Sequence, residues 1–313
     1  MVPFRNILIP LDGSELAEKA LKSAAQLASA LAKQTGAGEA PVKLTLLRVA
    51  TPLTFMAADP ALFDEMIRMS IDEAQAYLQA TAPSVMTAAD PAVVETKVVS
   101  GFAADVIVHY AEENGIDLII MSSHGRTGSK RWIYGSVAEK VMHHASCATA
   151  IVRAHVSVDM FQNRKILVPL DGSELAEKAL DPAMAIAAAV KSDVLLLRVV
   201  ADREPLPATL DPIGEDVAAA LDKTDSLERA EAEAYLQRVH ESRHNQHLFF
   251  DVQSVDGDIA DAIISYADSR NVDLVIISSH GRSGIGRWLH GSVAEKVLRG
   301  ADCATLIIRQ RRN

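Results

Sequence analysis

Cysteine is nearly absent from the 313-residue chain: Cys147 and Cys303 are its two thiols, too few for a disulfide framework. Positive charge is in deficit. Lys and Arg number 31 against 41 Asp and Glu, a formal net charge of −10. Such a chain has no overall attraction for nucleic acid or an anionic membrane, both of which are bound by neutralising phosphates. Long apolar runs are also missing, and nothing approaches the ~18–20 consecutive apolar residues of a membrane helix. The alanine-rich Pro182–Val190 stretch lies between Asp181 and Lys191 and reads as a helix face. The opening MVPFRNILIPLDGSE breaks its apolar run at Pro10 and Asp12, too early for a secretory signal. The expectation is a cytoplasmic protein with no nucleic-acid and no membrane partner. With 49% apolar and 23% charged residues, the composition is that of a folded globular chain and excludes disordered or fibrous classes.

What the chain does contain is itself, twice. PLDGSELAEKAL at Pro10–Leu21 returns unchanged at Pro169–Leu180, an offset of 159 residues. SSHGR at Ser122–Arg126 returns at Ser278–Arg282, and GSVAEKV at Gly135–Val141 returns at Gly291–Val297, both offset by 156. A period of this size is a whole domain, far above the ~20–50 residues of solenoid repeats. The expected domains are 1–153 and 164–313, joined by a polar linker at 154–163.

Each copy alternates strand and helix signals. Continuous apolar runs such as Asn6–Pro10 and Lys165–Pro169 are the pattern of strands buried on both faces. Helices are expected from about Ser14 to Lys33 with a twin from Ser173, over Asp64–Ala80 and Glu215–His240, over Ala103–Asn114 and Ile259–Arg270, and over Ser136–His144 and Ser292–Gly300. Further strands are expected at Lys43–Val49, Glu95–Val99, Asp117–Ser122 and Thr149–Arg153, and at Val194–Val199, Phe249–Val255, Asp273–Ser278 and Thr305–Arg309. Five strands alternating with helices call for an α/β, doubly wound parallel sheet in each half.

In such sheets ligands bind beyond the carboxyl ends of the strands, where strand order reverses. The repeated segments fall there. Gly125 and Gly281 let main chain approach a ligand without a Cβ. Gly135-Ser136 and Gly291-Ser292 open helices whose N-terminal amides favour an anion, and Arg126 and Arg282 add charge at the same rim. The plainer alternative is a glycine turn with a serine helix cap. Asp12 and Asp171 follow the first strand, where an acidic side chain accepts ribose hydroxyls in dinucleotide folds; the alternative is helix capping, for which Asp-Gly-Ser is well suited. A P-loop sequence is absent, and Gly284-Ile285-Gly286 lacks the third glycine of a dinucleotide fingerprint, having Leu289 in its place.

The spacing of Gly125, nine residues and Gly135-Ser136, repeated at Gly281 and Gly291-Ser292, resembles the nucleotide signature G-x-x-G-x9-G-[ST] of the universal stress protein family. The likeness covers both halves nearly end to end and identifies a tandem, two-domain member of the ATP-binding type, Rossmann-like in fold. It implies ATP or another adenine nucleotide as ligand, with or without Mg2+. Pro10, Asp12 and Val49 would then border adenine and ribose, with Ser122, Gly125, Arg126, Gly135, Ser136 and Val137 along the ribose-phosphate chain. The second-half set is Pro169, Asp171, Val199, Ser278, Gly281, Arg282, Gly291, Ser292 and Val293. Ser122 and Ser278 depart from the first signature glycine: a Cβ takes up space near the phosphates, while the hydroxyl offers a replacement hydrogen bond. Family members pair through their last strand, which implies that the two halves form an intrachain pseudo-dimer, with a further homodimer left open.

Other residues invite chemistry. His124 and His280 lie within the signature but have no sequence-readable acid–base partner. His240, His244 and His247 have helix-face spacing for a metal but occur in one half only, so no metal ligands and no catalytic residues are assigned. Cys147 and Cys303 read as small buried residues, and Trp132 and Trp288 as loop-packing side chains. The leading expectation is a stress-response regulator or sensor acting with an unidentified protein partner. A slow ATPase or phosphotransfer enzyme, and a nucleotide-independent interaction module, are the competing readings.

Overall fold

Ile7, Leu8 and Ile9 are all inaccessible to solvent, so the first strand must be covered on both faces. The computed structural model describes residues 4–51, 60–123, 135–153, 161–201, 215–243, 245–255, 257–279 and 292–309. The first half runs β1 (Asn6–Leu11), α1 (Glu15–Ala32), β2 (Lys43–Ala50), α2 (Pro60–Ala89), β3 (Val93–Ser100), α3 (Ala103–Glu113), β4 (Leu118–Ser122), α4 (Ser136–His144) and β5 (Ala148–Val152). The second runs β6 (Lys165–Pro169), α5 (Glu174–Glu177), α6 (Leu180–Val190), β7 (Asp193–Ala201), α7 (Glu215–Arg243), β8 (Leu248–Val255), α8 (Ile259–Ser269), β9 (Leu274–Ser279), α9 (Ser292–Gly300) and β10 (Ala304–Arg309).

All ten strands join one sheet in the order β3-β2-β1-β4-β5-β10-β9-β6-β7-β8. Within each half the pairing is parallel. Between the halves it is antiparallel, with Thr305 opposite Ile151 and Ile307 opposite Thr149. The halves are thus paired through their last strands. Burying one Ile or Leu side chain contributes roughly 1.5–3 kcal/mol, and here both faces contribute. Ile7 and Ile9 pack with α1, α2, α6 and α7 in one core that runs across both halves. Leu8 turns to the opposite face, where α3 and α4 share a cluster with Ala294 and Leu298 of α9 and with Ile151 and Ile307. A third cluster under α8 and α9 completes that face. Arg153 Nη2 crosses between halves to donate to the Leu298 carbonyl.

Two helices depart from the periodicity. The expected twin of α1 is broken into α5 and α6, because Pro182 has no N–H to donate back to Lys178 and fits only in the first turn of a new helix. Conversely, α2 runs past Pro83 to Ala89: Ala82, Val85 and Ala89 are buried in the core, and their packing supports the helix beyond the missing hydrogen bond. The chain entering β6 is itself packed. Phe161 is buried, while Asn163 N and Lys165 N each donate to the Asp273 carboxylate at 3.0 Å. Asp117 receives Arg5 N at 2.8 Å in the same way at the start of β1. Burial pushes the Asp273 carboxyl up, against the pull of these hydrogen bonds.

Candidate functional site

Strand order reverses between β1 and β4, which are parallel neighbours, and again between β6 and β9. A crevice opens at the carboxyl ends of such a pair. The structure brings Pro10 and Asp12 beside Ser122 at one such end, and Pro169 and Asp171 beside Ser278 at the other. Val49 and Val199 lie near the ends of the neighbouring strands β2 and β7, the first half-buried and the second buried.

The turn after β1 is held by Asp12, whose Oδ1 accepts the Ser14 amide at 3.0 Å and the Ser14 hydroxyl at 2.6 Å. Ser14 Oγ in turn accepts the Ala17 amide at 3.2 Å and caps α1. The second half repeats this: Asp171 Oδ1 accepts Ser173 N at 2.9 Å and Ser173 Oγ at 2.6 Å, and Ser173 Oγ accepts Ala176 N at 3.1 Å. Gly172 between them sits at φ +83°, the left-handed region that glycine adopts without strain. The helix caps are thus the serines, and each aspartate braces its cap through one oxygen. Burial raises the Asp171 carboxyl, but the two bonds from Ser173 and the charge of Arg198 outweigh it and leave the group below its usual range. It stays an ionised acceptor at neutral pH.

At the end of β4, Ser122 and Ser123 are buried. Ser123 N donates to Val152 O at 2.9 Å, and Gly135 N donates to Ser123 O at 3.0 Å, so the end of β4 is fastened to β5 and to the residue before α4. The Gly135 amide is thereby committed to the loop. The amides available to a ligand are those of the first turn of α4, beginning with Ser136 and Val137. No side-chain hydrogen bond caps that turn among the described residues, and its N–H groups lack intrahelical acceptors. Ser136 is exposed and Val137 half-buried. In the second half Ser292 and Val293 open α9. Ser278 Oγ is buried there without a hydrogen-bond partner among the described residues, an arrangement that costs roughly 1–3 kcal/mol unless a ligand or water supplies the bond. An unmet hydroxyl at this strand end fits a phosphate oxygen. Gly125, Arg126, Gly281, Arg282 and Gly291, with His124, His280, Trp132 and Trp288, lie outside the described residues.

Three side chains that motif reading passed over tie each first-strand end to its neighbours. Arg48 Nη1 donates to Leu11 O at 3.1 Å, and Arg198 Nη1 to Leu170 O at 3.4 Å. Tyr77 Oη donates to Glu18 Oε1 at 3.3 Å, and Tyr235 Oη to Glu177 Oε1 at 2.9 Å. Burial, then the neighbouring glutamate, raises both phenols. The signal was present in the repeat: Leu46–Val49 and Leu196–Val199 both read LLRV, and Ala76–Gln79 and Ala234–Gln237 both read AYLQ.

The other candidates do not converge. The His240 ring lies 5.6 Å from the Phe250 ring, His247 Nδ1 is 3.0 Å from Asp193 Oδ1, and His244 lies outside the described residues. Among the described residues no three His, Cys, Asp or Glu side chains form a metal-binding group. Cys147 and Cys303 are buried thiols that share no disulfide, and no described helix is long and apolar enough to cross a membrane.

Comparison with known proteins bears on the whole arrangement. The model of the Universal stress protein family matches residues 3–153 and again residues 162–309. A universal stress protein of Methanocaldococcus jannaschii is 26% identical over 147 residues, covering 47% of this chain and 82% of its own. A putative universal stress protein of Staphylococcus haemolyticus is 32% identical over 165 residues, covering 52% of this chain and 92% of its own. The crystal structure of a universal stress protein from Archaeoglobus fulgidus superposes with a TM-score of 0.65 at 19% identity, covering 97% of this chain and 98% of that one; that likeness is one of fold.

Proposed function

The chain belongs to the Universal stress protein family, with one family domain in each half, and from that premise we propose that it is a cytoplasmic stress-response regulator that binds an adenine nucleotide, ATP above all, in each half. The observation that carries the reading is the α4 N-terminus, uncapped by any described side chain and set beside the β1–β4 switch in strand order. Free first-turn amides there suit a phosphate group, and Asp12 just past β1, like the ionised Asp171 just past β6 in the other half, suits a ribose hydroxyl. The orphaned Ser278 hydroxyl supports the same use of the second half.

In this reading Ser136, Val137, Ser292 and Val293 hold phosphate through main-chain amides. Pro10, Val49, Pro169 and Val199 border the base, and Gly125, Arg126, Gly281, Arg282 and Gly291 of the family signature belong to the same proposed phosphate site. Mg2+ bound with the nucleotide would supply charge neutralisation at its phosphates. Occupancy then alters the surface offered to a protein partner. A regulator is favoured over a phosphotransfer enzyme because Asp12 and Asp171 each commit Oδ1 to a serine two residues on, whereas phosphoryl transfer needs a positioned base or water.

Calorimetric titration of the full chain with ATP tests the proposal. One nucleotide per half is expected, with phosphate release indistinguishable from buffer in the same sample. A flat titration overturns nucleotide binding, and rapid phosphate release overturns the regulatory reading.

A further inference from the structure

The residues behind the turn recur with their geometry as well as their identity. Arg48 stands on β2 directly opposite Leu11, the last residue of β1. Its guanidinium folds back onto the Leu11 carbonyl, just before Asp12. The Arg48 Cζ lies 5.3 Å from the centre of the Tyr77 ring, within the range of a cation–π contact, and Tyr77 on α2 is tied to Glu18 on α1. Four elements, β1, β2, α1 and α2, are therefore joined at one point beneath the pocket. The second half repeats the two hydrogen bonds with Arg198, Tyr235 and Glu177, and the Arg198 charge acts on the Tyr235 phenol, although α7 and α2 otherwise differ in most residues. Arg198 also lies against the turn itself: a Cβ on Gly172 would stand 3.6 Å from its Nη1.

Satisfying one strand-end carbonyl does not require a cation. A guanidinium adds a planar, permanently charged donor fork that a ring can hold in place, so it fixes the direction of the main chain as well as capping it. We propose that Arg48 and Arg198, each set by its tyrosine and glutamate, are positioning residues that hold the main chain ahead of Asp12 and Asp171 so that the carboxylate faces the ribose hydroxyls of the bound nucleotide. The proposal rests on nucleotide binding as proposed above and names what determines the ribose preference of that same site. The arginines touch the turn and act on the nucleotide through the aspartate. Lysine keeps the charge but loses the fork and the flat face, so Arg→Lys is the discriminating change.

The experiment compares ATP with 2′-deoxy-ATP by calorimetry on the full chain. It uses the wild type, the double variant R48K/R198K and the double variant Y77F/Y235F, with a thermal melt of each. The wild type is expected to prefer ATP. In R48K/R198K that preference falls by about three- to tenfold, the worth of one hydrogen bond, and in Y77F/Y235F it falls by less, in the same direction. Adding D12N/D171N to the arginine variant lowers the preference no further, because residues acting through one another are not additive. A wild type that binds both nucleotides equally overturns this inference and leaves nucleotide binding standing. A wild type that binds neither overturns both. Variants that melt earlier yet keep the full ATP preference, in both the arginine and the tyrosine pairs, overturn the positioning role and reduce the network to a helix fastening.

Discussion

Leu306 of β10 lies directly opposite Ala150 of β5, and at this pair the sheet passes from one half of the chain to the other. The side chains flanking the crossing bind the halves into common cores. Ile151 and Ile307 are fully buried in one cluster with Val141 and Met142 of α4 and with Ala294 and Leu298 of α9, so the helices that open at the two pockets share an interior.

Ile307→Ala is therefore expected to cost about 2–5 kcal/mol, the range for deleting a large buried aliphatic side chain. The loss should be felt by both halves in a single cooperative transition. Denaturant unfolding followed by circular dichroism checks this, and two separate transitions in the wild type would contradict the shared core.

The turn that carries Asp171 makes a second prediction. Ser173→Ala removes the cap of α5 and should cost about 0.5–2 kcal/mol. Asp171→Asn keeps an acceptor but loses the charge. Because the folded carboxyl lies below its usual value of 3.8, the ionised side chain stabilises the fold above that value. The contribution is lost as pH falls through the lower folded value. The variant should thus be less stable than the wild type at neutral pH, and the difference should close in strong acid. Melting both proteins across pH 2–7 reads it, and a constant difference would refute the charge argument.

Cys303 gives a third. Burial, with the nearby Asp268 charge, pushes its thiol up to about 12, and the thiolate is the reactive form. Iodoacetamide at pH 8 should label Cys303 in the unfolded chain and leave it untouched in the native one. Mass spectrometry of the digested protein distinguishes the two, and rapid native labelling would mean that the β10 end opens.

Much of this architecture was legible in residue order. The exact recurrence of PLDGSELAEKAL and the apolar runs of β1 and β6 led directly to two doubly wound halves, because a strand covered on both faces must be apolar throughout. Positions set by long-range contact were harder to read. Arg48 and Leu11, or Tyr77 and Glu18, are far apart in sequence and meet only when four elements converge, and no local pattern reports that convergence. The split between α5 and α6 was written in Pro182, but an identical upstream repeat argued for an unbroken twin of α1. The extension of α2 beyond Pro83 ran the other way, since burial of Ala82 and Val85 overrides what proline signals locally. At the site, the Gly135 amide looked available to an anion in sequence; in the fold it bonds to the Ser123 carbonyl.

The antiparallel join of β5 to β10 has one more effect. Because both strands belong to a single polypeptide, dilution cannot pull the two halves apart, and a tethered partner is present at an effective concentration in the millimolar range whatever the expression level. The two candidate sites are therefore produced in fixed one-to-one proportion and face opposite ways along one sheet, even in a cell that holds very few copies.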